Sequence, residues 1–275
     1  MFLHSYNPSP ILLDLGFVSI YWYGLLITLG LIAGFFVFYK LTQRVSINKN
    51  QIFNLCFWSI IWGIIGGRLY HILSELPYYW QHPLEIFYIW NGGVGIFGSI
   101  IAGVLVVYYF TKKYRINSLH ILDLAAPGLV LAQAIGRWGN YFNQELYGQP
   151  TDLPWAIPIA FANRLPGFEN FTHFHPVFLY ESLFCLILFM FLFLIHKRGN
   201  STLVSLYKPG FIFLLYIFLY SIWRFLVEFL RIDYQPAWLS LRLGQWVSLG
   251  LILVIIIFYF VLKKWYNKNV LGIKY

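Results

Sequence analysis

Seven long apolar runs constrain the fold of this chain more than any other feature. An α-helix needs about 20 apolar residues to cross roughly 30 Å of hydrocarbon, and every run is close to that length. The runs cover residues 17–39, 52–74, 94–111, 119–137, 176–195, 209–230 and 243–262. Residues 249–262 are apolar on every helical face, which argues against the alternating pattern of a membrane β-barrel. The sequence therefore predicts an all-α polytopic membrane protein of about seven transmembrane helices, with residues 1–275 as one membrane domain.

The charge content is typical of a membrane chain and excludes a nucleic-acid-binding protein. Hydrophobic residues make up 60% of the chain and charged residues only 11%, a balance that favours a lipid environment. The formal net charge is +9, but the basic residues lie in short loops and form no continuous basic face. Such loops are suited to an anionic cytoplasmic leaflet. We predict membrane lipid as a partner and no nucleic acid.

Basic residues are divided unequally between alternate loops, which predicts the orientation. Thirteen of the 19 basic residues follow odd-numbered runs: Lys40, Arg44, Lys49, Lys112, Lys113, Arg115, Lys197, Arg198, Lys208, Lys263, Lys264, Lys268 and Lys274. By the positive-inside rule these loops are cytoplasmic, so the N-terminus lies outside and the C-terminus inside. Residues 138–175 then form the longest external segment, and their prolines predict a small folded cap between spans four and five.

The cysteines and the N-terminus indicate no cofactor and no cleaved leader. Cys56 and Cys185 both lie inside apolar runs, so we expect no disulfide framework, no metal and no other cofactor. Residues 1–16 contain no Lys or Arg and therefore lack the basic start of a secretory signal. The first apolar run is expected to stay attached.

Three arginines lie within or at the end of apolar runs and are the first candidates for function. A charged side chain at the bilayer centre costs about 2.5–3.5 kcal/mol or more unless a partner or ligand compensates it. Arg68, Arg137 and Arg224 fall in the outer halves of spans two, four and six. Their common depth predicts that they share one pocket beneath the outer headgroups.

Two of these arginines belong to longer polar stripes at helical spacing. The stripe on span six consists of Tyr220, Arg224, Glu228 and Arg231. The stripe on span four consists of Gln133, Arg137 and Asn140, and Glu145 follows it near the membrane surface. The alternative for span six is a structural ion pair between Arg224 and Glu228 that only holds helices together. Tyr23 opens span one, where a belt residue at headgroup level is the alternative.

Glycines are concentrated where the third span begins. Gly92, Gly93, Gly95 and Gly98 could break the helix and offer backbone N–H groups to an anion. Close helix packing through small residues is the alternative, and the residues alone do not decide between the two. His175 opens the fifth span at the same level.

Clustered guanidinium groups are suited to a phosphate, because their forks bind phosphate oxygens with charge-assisted hydrogen bonds. In a membrane that phosphate is most simply a phospholipid headgroup. An anion or phospholipid transporter using the same arginines is the main alternative. A transport path should carry polar groups on both sides of the midplane, whereas the inner half offers little beyond Asp123. A third possibility is an assembly protein whose ion pairs only fix helix packing.

Residues 136–148, with the sequence GRWGNYFNQELYG, resemble the signature of the prolipoprotein diacylglyceryl transferases, which are bacterial enzymes. Further matches in family order occur at residues 22–24, 66–68, 90–93, 123, 175–176, 180–181, 224, 228 and 244–245. The resemblance implies transfer of the diacylglyceryl group of phosphatidylglycerol to the lipobox cysteine thiol of a prolipoprotein signal peptide, which forms a thioether and releases glycerol phosphate. It also implies the plasma membrane of a bacterium, or a membrane of a bacterium-derived organelle. We expect a monomer.

The resemblance also implies roles for individual residues. Arg137 and Arg224 would hold and neutralise the phosphate, Asn140 and Glu145 would complete the signature site, and Tyr23 and Glu228 would orient these groups. The substrate-binding candidates are Arg68, Gly92, Gly93, Gly98, Gly148, His175, Tyr220 and Arg231, together with Arg137.

The chain departs from the family pattern at one position. Phe97 stands where many members have a histidine or a tyrosine, and phenylalanine cannot accept a proton. A mechanism that needs this histidine as general base therefore does not apply to this chain. The remaining candidates for the base are Glu145, Glu228 and Tyr23, with His71 as a further possibility.

Overall fold

The computed structural model describes residues 2–16, 18–43, 45, 47–197 and 209–269, which are mostly helical. The helices are α1 (Phe2–Ser5), α2 (Trp22–Thr42), α3 (Lys49–Ser74), α4 (Leu76–Gln81), α5 (Ile96–Tyr114), α6 (Ser118–Phe142), α7 (Val177–Lys197), α8 (Phe211–Val227) and α9 (Leu243–Asn269). The strands form three antiparallel pairs: β1 (Ile11–Asp14) with β2 (Ser19–Tyr21), β3 (Ile157–Pro158) with β4 (His173–Phe174), and β5 (Ala237–Trp238) with β6 (Leu241–Arg242). The all-α prediction is therefore correct for the spans and misses these short pairs.

Six of the described helices are long and apolar enough to cross a membrane, so the chain is a polytopic membrane protein. They are α2, α3, α5, α6, α7 and α9, and the apolar helix α8 is shorter, with 17 residues. Four basic residues used to predict the orientation, Arg44, Arg198, Lys208 and Lys274, lie outside the described residues.

The first predicted span begins too early. Residues 19–21 form a strand, and the helix starts only at Trp22. The carboxylate of Asp14 accepts hydrogen bonds from the N–H of Gly16 at 3.0 Å and from the hydroxyl of Ser19 at 3.2 Å. Gly16 has a φ of +80°, which glycine adopts at little cost. These local bonds close a hairpin turn where the apolar pattern alone suggested helix.

The sixth span and the cap also differ from the prediction. Helix α8 ends at Val227, and Glu228 is its C-cap residue. Arg231 therefore leaves the helix and forms an isolated antiparallel bridge with Gly148. Helix α6 continues to Phe142, so the first five residues of the predicted cap, 138–142, are still helical. The third span begins at Ile96, not at 94.

The chain divides into two compact units. The first unit comprises Met1–Phe38 and Ala125–Tyr275, and the second comprises Tyr39–Leu124. In the first unit, α6, α7 and α8 share a core of Ala126, Val130, Ala134, Cys185, Leu188, Leu192, Ile212 and Tyr216. A Cβ on Gly34 would lie 2.7 Å from the carbonyl oxygen of Gly128, so glycines bring α2 against α6, as is common between membrane helices.

In the second unit, α3 packs along α5 through glycines. A Cβ on Gly98 would lie 2.1 Å from the carbonyl oxygen of Gly66. Nearby, the hydroxyl of Ser99 donates to the carbonyl of Gly63 at 2.8 Å. For Gly98, therefore, the structure favours the packing interpretation over an anion-binding role.

Replacing Gly98 with alanine should destabilise the protein. The added methyl group would overlap the backbone of α3, and such overpacking typically costs about 1–3 kcal/mol. The measurement is the thermal unfolding temperature of purified variants in detergent. Gly103→Ala, on the same helix, is the control, because a Cβ there meets nothing within 4 Å. Equal unfolding temperatures for the two variants would contradict the packing role.

Candidate active site

A buried glutamate at the start of α7 holds two of the predicted arginines together. Glu181 is 1% exposed. One of its carboxylate oxygens lies 3.1 Å from Nη1 of Arg137 on α6, and the other lies 3.2 Å from Nη1 of Arg224 on α8. The side chains of these arginines remain 20% and 18% exposed. The structure thus confirms that Arg137 and Arg224 converge, and it shows that a carboxylate missed by the sequence analysis joins them.

A second buried carboxylate extends this arrangement. Nη2 of Arg224 lies 2.7 Å from Glu228, which is fully buried, and Nη1 of Arg242 lies 3.2 Å from the same carboxylate. Neither oxygen of Glu228 makes a well-aligned hydrogen bond to a described residue, so its contacts are charge contacts. The structural ion pair considered for span six is therefore present, but it belongs to a larger network.

Arg231 and Asp233, in the segment that follows α8, complete the network. Nε of Arg231 lies 2.7 Å from Asp233, which also lies 3.4 Å from Nη2 of Arg242. We call the whole group the arginine cluster, and its members are Arg137, Arg224, Arg231, Arg242, Glu181, Glu228 and Asp233. Four guanidinium groups face three carboxylates, so the cluster carries one formal positive charge in excess. That charge, on guanidiniums that are partly exposed, is suited to an anion.

Asp233 lies outside the spans, and its pKa shows how strongly the neighbouring arginines act on its carboxylate. Burial alone would raise the pKa of Asp233, but the hydrogen bond and charge of Arg231, the hydrogen bond from Gln235 and the charge of Arg242 outweigh it and lower the pKa to about 2. The ordinary value is 3.8. A carboxyl group with a depressed pKa stabilises the fold above its unfolded pKa, and this contribution is lost as the pH falls through its folded pKa.

We therefore expect the wild-type unfolding temperature to fall between about pH 4 and pH 2 as Asp233 becomes protonated. Asp233→Asn removes this ionisation and should flatten that part of the profile. The measurement is thermal unfolding in detergent across the range, with the difference between the two proteins as the readout. Parallel profiles for wild type and variant would contradict the assignment.

Hydrogen bonds between α6 and α8 hold the Arg137 guanidinium in place. Its Nη2 donates to the hydroxyl of Tyr220 at 3.0 Å. One turn away, the hydroxyl of Tyr216 donates to Oε1 of Gln133 at 2.7 Å. The polar stripes of spans four and six therefore face each other, which fixes the direction of the Arg137 guanidinium.

The signature segment forms a second polar group at the end of α6. The amide of Asn140 donates to Oε1 of Glu145 at 2.7 Å, and Glu145 is exposed. Tyr23 lies close enough to Glu145 and Arg137 for their charges to act on its phenol. A Cβ on Gly139 would lie 2.5 Å from the ring of Tyr23, so glycine at 139 lets this ring approach the helix. Asn140, Glu145 and Tyr23 are thus brought together beside Arg137.

Backbone contacts pack Gly148 against His175 and against the segment that follows α8. The N–H of Gly148 donates to the carbonyl of His175 at 3.0 Å, and a Cβ on Gly148 would lie 2.9 Å from the carbonyl oxygen of Leu230. The hydroxyl of Tyr180 lies 3.1 Å from Nδ1 of His175, and burial lowers the pKa of His175. The contacts of Gly148 and His175 in this structure are therefore packing contacts.

Arg68, Gly92 and Gly93 lie together in the second unit. The Arg68 guanidinium donates to the carbonyls of Glu85, Ile86, Gly92 and Gly93. Gly92 and Gly93 have φ values of +87° and +71°, which turn their carbonyls towards the arginine. The helix break predicted before the third span is present. Around Arg68, however, it directs backbone carbonyls towards a cation and not N–H groups towards an anion.

Three members of the arginine cluster were not predicted as site residues. Glu181 carried the clearest signal, because it is a lone carboxylate in an apolar run directly after Tyr180. Arg242 and Asp233 carried weaker signals, since both lie in a loop where charged residues are ordinary. Over the described ranges, no group of three or more His, Cys, Asp or Glu side chains could hold a metal ion.

Comparison with known proteins places the whole arrangement in context. The family model for prolipoprotein diacylglyceryl transferase matches residues 10–261. The chain is similar to proteins named phosphatidylglycerol–prolipoprotein diacylglyceryl transferase from Trichormus variabilis (40% identical), Gloeobacter violaceus (41%) and Prochlorococcus marinus (37%). The matches cover 88%, 89% and 96% of this chain and 86%, 89% and 96% of the relatives. The similarity thus extends over both compact units.

Proposed function

Because the chain belongs to the prolipoprotein diacylglyceryl transferase family, we propose that it transfers the diacylglyceryl group of phosphatidylglycerol to the cysteine thiol of prolipoproteins, as the first step of their maturation. The observation that carries this proposal is the pair of guanidinium groups, Arg137 and Arg224, that Glu181 holds side by side. The relatives are named as transferases, and the transporter alternative gains no support from them.

The arginine cluster supplies the charge that this reaction needs. The substrate sulfur attacks the glyceryl carbon next to the phosphate ester, so a sulfur–carbon bond forms and a carbon–oxygen bond breaks. The electron pair moves to the phosphate oxygen and converts a phosphodiester monoanion into a phosphomonoester dianion. Arg137 and Arg224 stabilise this developing charge, because donors aimed at charge that forms in the transition state lower the barrier.

The thiol proton needs an acceptor, since a free cysteine has a pKa near 8.5 and its thiolate is the nucleophile. Both oxygens of Glu228 are in contact with arginines, which makes Glu228 a poor base. Glu145 is exposed and is oriented by the amide of Asn140 at 2.7 Å. We assign proton acceptance to Glu145 and assign Tyr23 to its positioning. Phe97 takes no part in the proton transfer.

We propose a membrane arrangement that is supported by the ends of the helices in the first unit. Arg137 and Arg224 lie near the C-terminal ends of α6 and α8, Glu181 lies in the first turns of α7, and Arg242 directly precedes α9. Since ion pairs to Glu181 and Glu228 link these residues, consecutive helices run in opposite directions. This supports seven spans with α8 as the sixth, an external N-terminus and a cytoplasmic C-terminus. The segment after α6 would then be an external cap above the site.

The partners and location follow from the same proposal. We assign phosphatidylglycerol and prolipoprotein signal peptides with a lipobox cysteine as substrates. The bacterial relatives and the apolar helices favour the plasma membrane of a bacterium. We propose that the protein acts as a monomer, because the arginine cluster is assembled from one chain.

The direct test is to incubate the purified protein with phosphatidylglycerol and a lipobox peptide. The expected result is a diacylglyceryl mass increment on the cysteine together with release of glycerol phosphate. A peptide with serine in place of the cysteine is the negative control. If the relative from Trichormus variabilis modifies the peptide and this protein does not, the proposed function is wrong.

A further inference from the structure

Just after α6, the chain turns at a residue whose backbone conformation favours glycine, although the residue is a glutamine. Gln144 has a φ of +51°. The N–H of Glu145 donates to the carbonyl of Asn140 at 3.0 Å, a bond that closes the end of a helix over one residue in the left-handed conformation. Because this conformation disfavours any residue with a Cβ, side-chain contacts of Gln144 must offset the cost.

The side-chain amide of Gln144 makes such contacts on both of its sides. The residue is buried, with 6% exposed. Its Nε2 donates to the carbonyl of Pro8 at 2.8 Å, and its Oε1 accepts a hydrogen bond from the N–H of Ala160 at 2.6 Å. Pro8 lies between α1 and β1, and Ala160 lies between β3 and β4. One side chain therefore ties the turn after α6 to two segments that are distant in sequence.

These two segments are also fixed against each other. Nδ1 of His4 lies 3.1 Å from the carbonyl oxygen of Ala156, and Nε2 of His173 lies 3.2 Å from the carbonyl oxygen of His4. The two imidazole rings stack with their centres 4.3 Å apart. Leu3 packs against the apolar core beneath them. The segment of residues 3–8 is therefore held in place and can fix the amide of Gln144.

The conformation of Gln144 determines where the next residue points. Glu145 is joined to Asn140 by two hydrogen bonds, one from its own N–H at 3.0 Å and one from the Asn140 amide to its carboxylate at 2.7 Å. A change in φ at Gln144 would break the first bond and turn the carboxylate away from the second. Leu146, on the other side of Glu145, also has a positive φ, of +56°. Strained backbone of this kind is often found at functional sites.

We propose that Gln144 is a positioning residue that holds Glu145 in the geometry for proton transfer. The inference rests on the proposed function, in which Glu145 accepts the proton of the substrate thiol. Gln144 acts through the backbone, because its own amide is bonded to Pro8 and Ala160. The segment of residues 3–8 thereby contributes to the site although it carries no reacting group.

The first test is the kinetics of diacylglyceryl transfer by two variants. Gln144→Gly accepts the left-handed conformation without the side chain, and Gln144→Met keeps the length of the side chain without its hydrogen bonds. Since a displacement of about 1 Å can slow a reaction about 100-fold, we expect kcat to fall by about 10- to 100-fold in both. KM for phosphatidylglycerol and for the peptide should stay within about twofold, as for an interaction needed only in the transition state.

The matched control is Gln149→Met. Gln149 is an exposed glutamine five positions further along the chain, and its amide contacts only the carbonyl of Phe229, at 3.3 Å. We expect this variant to keep the wild-type kcat. A Gln144→Gly protein with the same kcat as Gln149→Met overturns the proposal.

A double variant separates positioning from a purely structural role. In the Glu145→Gln background the positioned group no longer accepts a proton, so adding Gln144→Gly should lower kcat by less than about twofold. A side chain that only stabilises the fold would lower kcat by the same factor in both backgrounds, and that result overturns the proposal. A Glu145→Gln enzyme with the wild-type kcat overturns it as well, while the transfer function stands.

The last readout does not depend on transfer. Hydrogen exchange of the backbone amides, measured by mass spectrometry on the detergent-solubilised full-length protein, should become severalfold faster at Glu145 and Ala160 in Gln144→Gly, but not in Gln149→Met. Unchanged exchange at both residues overturns the proposal even if kcat falls. Faster exchange in a protein whose wild type forms no adduct would contradict the proposed function, while the link between Gln144 and Glu145 stands.

Discussion

Replacing Arg137 with glutamine is expected to lower the rate of diacylglyceryl transfer by about 10³-fold, a magnitude typical of removing an arginine that stabilises charge on a phosphate in the transition state. Glutamine retains hydrogen-bonding capacity towards Tyr220 but carries no charge. Glu181 stays paired with Arg224 at 3.2 Å, so the fold should survive. The measurement is the initial rate of the peptide adduct at saturating phosphatidylglycerol, together with the unfolding temperature.

Two controls separate catalysis from packing at Arg137. Arg137→Lys restores the charge without the planar fork and should recover part of the activity. Arg164→Gln removes an arginine whose contacts, to the carbonyls of Ile159 and Glu169, lie away from the cluster, and it should keep most of the activity. If Arg137→Gln instead disappears from the membrane while Arg164→Gln accumulates normally, Arg137 has a packing role and the catalytic assignment is wrong.

Replacing Glu181 with glutamine should damage both stability and activity. Removing one partner from a buried ion pair typically costs about 3–5 kcal/mol, because an uncompensated charge remains, and here two guanidiniums lose the same carboxylate. The guanidiniums would also lose the contact that aligns them for the phosphate. We expect a large drop in unfolding temperature and a transfer rate close to that of Arg137→Gln.

The matched control for this prediction is Glu169→Gln. Glu169 is an exposed glutamate that contacts the N–H of Gly167, so its charge should matter little to the fold. The double variant Arg137→Gln/Glu181→Gln adds a coupling test, since residues in one ion-pair network are not additive. A Glu181→Gln protein that unfolds at the wild-type temperature would show that Glu181 does not hold the cluster together.

The sequence was informative about the spans and about two of the arginines because both depend on strong local rules. Twenty-residue apolar runs have few alternatives to membrane helices, and an arginine inside such a run needs a partner. Arg137 and Arg224 were found in this way. Glu181 was not assigned a role because its importance depends on two side chains that are distant in sequence.

Other features could not be predicted from the sequence because local hydrogen bonds outweigh the apolar pattern. The turn at Asp14 and Gly16 converts the start of the first apolar run into a hairpin, and the end of α8 at Val227 removes Arg231 from its predicted helical face. Arg231 still reaches the cluster, but by a different backbone path, through its bridge with Gly148. Composition and periodicity contain no information on such a path.

The unequal numbers of guanidinium and carboxylate groups in the arginine cluster have a consequence for turnover. The lipid enters with a single negative charge on its phosphate, whereas the departing glycerol phosphate carries close to two near neutral pH. A site with an unbalanced positive charge therefore holds the product more tightly than the substrate. Under the proposed function, accumulated glycerol phosphate would slow the enzyme. This product would have to be removed for lipoprotein maturation to continue.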